Sequence, residues 1–178
     1  RALLLAPDDP EVLMLSAGVM SLVRRLDVAE TLLNRSIALD PHQPEAWRRR
    51  GFIQNFRGNG ALATAAFQRA LRHWPTEDDT NMAVIGLGIA RFVSGDYARS
   101  ARLLTRAVEE QPARSWPYRF LAAAATHAGA RDAAQRALLS LRRAFPDFTV
   151  DQCARSGVLH PEALQRVLEG LSQAGLPR

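Results

Sequence analysis

Four histidines, one cysteine and two short glycine clusters are the residues of this 178-residue chain whose types most often do chemistry. His42, His73, His127 and His160 lie too far apart for the three-to-five-residue spacing of a paired metal-ligand motif. Cys153 has no second cysteine with which to build a Cys-x2-Cys pair or a disulfide. The clusters Gly86-Leu87-Gly88 and Gly58-Asn59-Gly60 each lack the third glycine and the preceding strand of a dinucleotide-binding turn. Ser16 and Ser115 are single serines with only distant histidines, which is no signature of a nucleophile. The sequence therefore reads as carrying no catalytic residue, no metal site and no cofactor, so that this segment is not itself an enzyme.

The elements that would position any working surface are legible from composition and spacing. At 47% hydrophobic the chain can bury a core, and its longest apolar run, Met82 to Val93, is interrupted by Arg91 and too short for a membrane helix. All 23 basic residues are arginine, scattered with at most three in succession, and the net charge is +5. This reads as solvated helix faces rather than a nucleic-acid footprint. A lone cysteine suits a reducing compartment, and the cytoplasm is the expected location. "RALLLAP" has neither the length nor the cleavage site of a signal peptide, and Arg1 in place of a methionine reads as the start of a segment cut from a longer protein.

Pro7, Pro41, Pro75, Pro112 and Pro146 are separated by 34, 34, 37 and 34 residues. Within that frame small residues recur at Ala29, Ala63, Ser100 and Ala134, at Ala17, Gly51, Gly88 and Ala122, and at Ala2, Ser36, Ala70 and Ala107. Large apolar residues recur at Leu33, Phe67, Leu104 and Leu138. Two antiparallel helices per repeat explain the pattern: small side chains let the helices cross closely, and the large one fills the space beside the crossing. Gly58, Gly95 and Gly129 mark the turn within each hairpin, where a helix end favours a left-handed residue, and Arg24 takes that place in the first repeat. The spacing predicts helices over about 10–23 and 27–39, 44–57 and 60–73, 80–94 and 97–110, and 115–128 and 131–144. "TEDDT", 76–80, reads as a loop holding the three extra residues, and Arg1 to Ala6 as the end of an earlier second helix. "DPHQP", 40–44, is the corner between repeats, with Pro44 in the first helical turn and Trp47 in the core.

These residues resemble the tetratricopeptide repeat family, whose pattern runs Trp-x2-Leu-Gly-x2-Tyr, Ala-x3-Phe-x2-Ala, Pro. The second repeat carries it as Trp47, Gly51, Ala63, Phe67, Ala70 and Pro75, with Arg50 and Gln54 where leucine and tyrosine are usual. The third carries Leu87, Gly88, Gly95, Tyr97, Leu104, Ala107 and Pro112, and the fourth Tyr118, Leu121, Gly129, Ala134, Leu138 and Pro146, with Leu141 replacing a small residue. The resemblance implies an all-α fold, a right-handed solenoid of helix-turn-helix repeats over 1–146 with a C-terminal helical cap over 147–178. In the cap a short helix around 150–156 precedes a longer one from Pro161, where Leu164, Val167, Leu168 and Leu171 form a stripe ending near Gly175. The family uses its concave face to bind extended peptides or helices. The lining positions fall on Met14, Gly18 and Ser21, on Arg48, Phe52 and Asn55, on Ile85, Ile89 and Phe92, and on Arg119, Ala123 and Thr126. The resemblance implies an apolar groove anchored by Phe52, Ile89 and Phe92, with Arg48 and Arg119 drawing an acidic flank. An alternative is that the same residues are covered by the protein's own tail or another domain. Phe52 and Gly86 stand where the family's carboxylate clamp would have asparagines, so that clamp is not expected.

The tail is similar, at Pro146 to Thr149, Pro161 to Leu164 and Leu168 to Pro177, to the C-termini of bacterial class III adenylate/guanylate cyclases and winged-helix regulators that carry these repeats. The implied function is a protein-interaction or scaffold module, the regulatory region of a cyclase. The alternative is the sensing half of a transcriptional regulator. The expected partner is a protein or peptide segment or an attached domain. No membrane is expected, nucleic acid is disfavoured, and a homo-oligomer stays open.

Overall fold

A computed structural model describes residues 5–73, 77–156 and 158–178. Most of the expected helical tail Arg1 to Ala6, with Ala2, and the repeat proline Pro75 lie outside the described residues. Among those described there are ten helices and no strand. Four hairpins follow one another: α1 (Pro10–Leu22) with α2 (Leu26–Leu39), α3 (Pro44–Phe56) with α4 (Gly60–His73), α5 (Glu77–Val93) with α6 (Tyr97–Glu110), and α7 (Tyr118–His127) with α8 (Arg131–Ala144). The chain ends with α9 (Val150–Ser156) and α10 (Pro161–Ala174). Each first helix packs against its own partner and, from α3 onward, against the second helix of the preceding hairpin, as a solenoid requires.

Local chemistry sets the ends of these helices. Asp9 caps α1 by accepting from the Glu11 and Val12 amides at 2.8 and 3.0 Å, while Pro10 occupies the first helical position. The four hairpin turns are alike in their bonds. The amides of Arg25, Asn59, Asp96 and Ala130 donate back to the carbonyls of Met20, Gln54, Arg91 and Ala125 at 2.8–2.9 Å. The residue before each donor is left-handed: Arg24 at φ 61°, Gly58 at 81°, Gly95 at 80° and Gly129 at 73°. Arg24 thus takes the glycine position, in a conformation that costs an L-residue about 1–2 kcal/mol.

Every small-residue column lying in the described part is buried. Ala29 and Ala63 are 0% exposed, Ser100 0% and Ala134 3%, while the large residues Leu33, Phe67 and Leu104 are fully enclosed beside the crossings. Gly51 and Gly86 both face the ring of Phe67 so closely that a Cβ on either would collide with it. A side chain of that size contributes about 1.5–3 kcal/mol when fully buried, and the two glycines are what admit it.

Three expectations are corrected. The stretch 77–80 is helix, not loop, since α5 starts at Glu77; Glu and Asp suit the positive amino end of a helix. Next, α7 starts at Tyr118 rather than 115, because Pro117 disfavours helical backbone at Trp116. Finally, Trp47 is half-buried rather than enclosed. Its indole N–H donates to the Pro41 carbonyl at 2.9 Å, and the guanidinium groups of Arg69 and Arg50 lie over the ring at 4.5 and 5.4 Å.

Candidate functional site

The inner face of the array is built by the first helices, so its chemistry follows from α1, α3, α5 and α7. On α5, Ile85, Ile89 and Phe92 are 0%, 3% and 0% exposed. They share one core with Ala123 of α7 and with Ala163, Val167 and Leu171 of α10. The apolar stripe of α10 therefore lies against the inner side of α7. Gly170 meets Ala123 there: a Cβ on Gly170 would sit 2.8 Å from the Ala123 Cα and 2.9 Å from its carbonyl oxygen.

Polar contacts fix the same placement. The Arg166 guanidinium of α10 donates to the Val93 carbonyl at the end of α5, 2.9 Å away. The His127 ring at the end of α7 contacts the Arg166 carbonyl through Nε2 at 2.6 Å, so Nε2 carries the proton and donates. Tyr97 stacks on His127 with centroids 4.6 Å apart and meets Phe92 edge-on at 5.2 Å. At the amino end of α10, His160 packs on the Gly58 turn, with its Cβ 3.1 Å from where a Gly58 Cβ would be. At the other end, Gln135 of α8 donates to the Ala174 carbonyl at 2.9 Å. The last helix is thus tied to three hairpins rather than stacked beyond the fourth.

The remaining groove positions have partners within the chain. Met14 and Gly18 are buried, the latter beneath the Arg49 guanidinium. Ser21 donates to the Gly18 carbonyl at 2.7 Å. Arg48 is bound to Glu45, with Nε donating at 2.7 Å. Asn55 is fully buried and gives its amide to the Gly86 carbonyl at 2.9 Å. Phe52 is half-buried and meets Phe67 edge-on with centroids 5.1 Å apart. Thr126 donates to the Ala122 carbonyl at 2.8 Å.

Arg119 is half-buried with Phe120, Cys153, Leu164 and Val167 around a void of about 10 Å³, too small for a ligand. Burial lowers the pKa of Arg119 and raises that of the Cys153 thiol, with the neighbouring guanidinium opposing the rise. Arg48 is held by Glu45 and Arg119 is half-buried, and the anchors Ile89 and Phe92 are 3% and 0% exposed. Sequence reasoning placed these positions on first helices and left open whether a partner or the protein's own tail lies on them.

Covering of these positions by the protein's own tail was one of the two readings the sequence left open. One feature went unread, a cleft on the outer side of the third hairpin, lined by Leu87, Arg91, Arg99, Arg102, Leu103 and Arg106. Its sequence signal is the spacing 99, 102, 106, which puts three arginines on one helical face. Among the described residues no three His, Cys, Asp or Glu side chains come together as a metal would need, and no helix is long and apolar enough to cross a membrane.

Comparison with curated proteins gives no match. The tetratricopeptide repeat family model matches residues 92–151. Among solved structures the chain is similar to PilW, described as a widely conserved type IV pilus biogenesis factor. The two share 18% identity with a TM-score of 0.75, over 97% of this chain and 76% of that one. It is also similar to YrrB, described as a tetratricopeptide repeat protein with an unusual peptide-binding site, at 20% identity and TM-score 0.65 over 97% and 88%. Pseudomonas aeruginosa pilF shares 13% identity with a TM-score of 0.67 over 95% and 78%. With four like hairpin turns and buried small-residue crossings, the chain has the α-solenoid fold of these solved structures, and its residues 92–151 match the tetratricopeptide repeat model.

Proposed function

We propose that this chain is a protein-interaction module whose inner face recognises an amphipathic helix, and that α10 holds that face until a partner segment replaces it. The observation that supports this is the contact itself. An apolar stripe, Ala163, Val167, Gly170 and Leu171, lies against the inner side of α7 and shares one core with Ile85, Ile89 and Phe92 of α5, the arrangement by which helices are bound in grooves. The apolar anchors Phe52, Ile89 and Phe92 belong to this reading. The arginines do not, because Arg48 is paired with Glu45, a carboxylate it shares with Arg49, and Arg119 is half-buried.

The test is exchange in trans. A variant with Arg166→Ala and Gly170→Ala weakens the resident helix while leaving the groove intact. A fluorescein-labelled peptide of residues 158–178 with the native sequence is then titrated against wild type and variant by anisotropy. Saturable binding to the variant, at least tenfold tighter than to wild type, is expected. Absence of binding to both, with the variant folded by circular dichroism, overturns the proposal.

On the residues of the tail, Pro146 to Thr149, Pro161 to Leu164 and Leu168 to Pro177, we place the module in the cytoplasm as the C-terminal regulatory region of a larger bacterial protein, a nucleotide cyclase. The alternative, from the same residues, is the partner-sensing half of a winged-helix regulator. Sequencing the gene upstream of the codon for Arg1 decides between them. Metal-binding carboxylates of a cyclase support the first, a basic recognition helix the second, and neither feature sinks both.

A further inference from the structure

The outer cleft of the third hairpin carries an inference that deepens the reading of the chain as a binding module and rests on it. Arg99, Arg102 and Arg106 share one face of α6, and Arg91 of α5 joins them around a floor of Leu87 and Leu103. The open cleft they line has a volume of about 420 Å³. The arginine stems extend the aliphatic floor while their guanidinium groups form the rim.

The charge of this cleft is largely uncompensated. Arg99 reaches Asp96 at 3.5 Å and Arg106 reaches Glu110 at 2.6 Å, but both arginines are more than 60% exposed and such surface pairs bind weakly. Among the described residues Arg91 and Arg102 have no carboxylate within ion-pair distance. The cluster is also not a by-product of the repeat. The six matching positions of the second repeat hold Arg50, Gln54, Leu62, Ala65, Ala66 and Arg69, and those of the fourth hold Leu121, Ala125, Ala133, Arg136, Ala137 and Ser140. Neither of these neighbouring repeats matches the four arginines that the third hairpin brings to one aliphatic cleft.

We infer that this cleft is a second docking surface, and that its occupant is an acidic peptide segment of a partner protein carrying a leucine or isoleucine between carboxylates. The carboxylates satisfy the guanidinium rim by charge-assisted bonds, and the aliphatic side chain covers Leu87 and Leu103. A nucleic acid fits less well, because among the described residues no aromatic ring lines the cleft for a base to stack on.

The probe is a labelled peptide, Glu-Leu-Glu-Glu-Leu-Glu, compared with its glutamine counterpart and with oligo(dT) of 15 nucleotides, each titrated by anisotropy. Arg91→Glu with Arg102→Glu is the disrupting variant, and lysine at both positions is the control that retains charge. The acidic peptide should bind wild type and the lysine variant, and lose about tenfold or more in the glutamate variant and on substitution by glutamine. Equal binding to wild type and glutamate variant, no binding to wild type, or tighter binding of oligo(dT) overturns the inference. The 158–178 peptide supplies the separation. If its exchange into the inner face persists in the glutamate variant while the acidic peptide shows no site-dependence, the outer cleft alone is refuted. If the exchange fails in every background, the fault lies with the inner-face reading.

Discussion

Replacing Gly170 by alanine puts the seating of α10 to a test of sign. Gly170 lies inside α10 and is buried, and on an unopposed helix glycine to alanine stabilises by about 1 kcal/mol. Here the new Cβ would come within 2.8 Å of the Ala123 Cα, 2.9 Å of the Ala123 carbonyl oxygen and 3.0 Å of its Cβ. Two of these three atoms are backbone, so α7 yields little and α10 must retreat by roughly 0.5–1 Å to restore contact distance. Overpacking of this kind costs about 1–3 kcal/mol. Subtracting the propensity gain leaves a net loss near 1 kcal/mol, which multiplies the population of locally opened α10 by about fivefold. Urea denaturation reads the net loss. Hydrogen exchange followed by mass spectrometry reads its location, with faster exchange expected over 161–176 and little change in α1 to α4. If Gly170→Ala is instead more stable by about 1 kcal/mol, with exchange in α10 unchanged, then α10 does not rest on α7 and the inner face is open.

Two further predictions concern the backbone and the buried thiol. Arg24→Gly relieves the left-handed arginine at φ 61° and should raise the melting temperature, by up to about 1 kcal/mol in stability once the entropy cost of glycine is set against the strain; a lower melting temperature would show that the arginine side chain contributes more than its backbone costs. Burial raises the Cys153 pKa in the folded chain, so above the unfolded thiol's pKa of about 8.5 the unfolded state binds fewer protons than the native state, and stability falls as pH rises. Wild type should therefore lose stability relative to Cys153→Ala between about pH 8 and 10 in urea titrations, and parallel pH profiles would contradict the burial.

Much of the fold was readable because a repeat states its geometry several times. A single alanine says little, but Ala29, Ala63, Ser100 and Ala134 at one register imply a crossing where only small residues fit, and all four are buried. Gly58, Gly95 and Gly129 announce their turns because a left-handed backbone is costly for other residues, and Arg24 was identified by register alone. Helix starts were less legible. The polar residues 77–80 suit a loop and a helix amino end equally well, and the start of α7 depends on the restriction that Pro117 places on Trp116.

The candidate site divides along the same line. Periodicity assigned Met14, Arg48, Phe52, Asn55, Ile85, Ile89, Phe92 and Arg119 to first helices, since register along a helix is a local property. It also marked the stripe Leu164, Val167, Leu168 and Leu171 as apolar. What an apolar stripe covers is not a local property, because hydrophobic burial has no direction and accepts any complementary surface. Only the tertiary structure laid α10 across α7 and tied it to Val93 and the Gly58 turn, and only there do Leu87 and Arg91 of one helix meet Arg99, Arg102 and Arg106 of the next. The sequence by itself determined the hairpins and their order, since these follow from spacing along the chain. Which faces were closed and which were left open was decided by contacts between residues far apart in it.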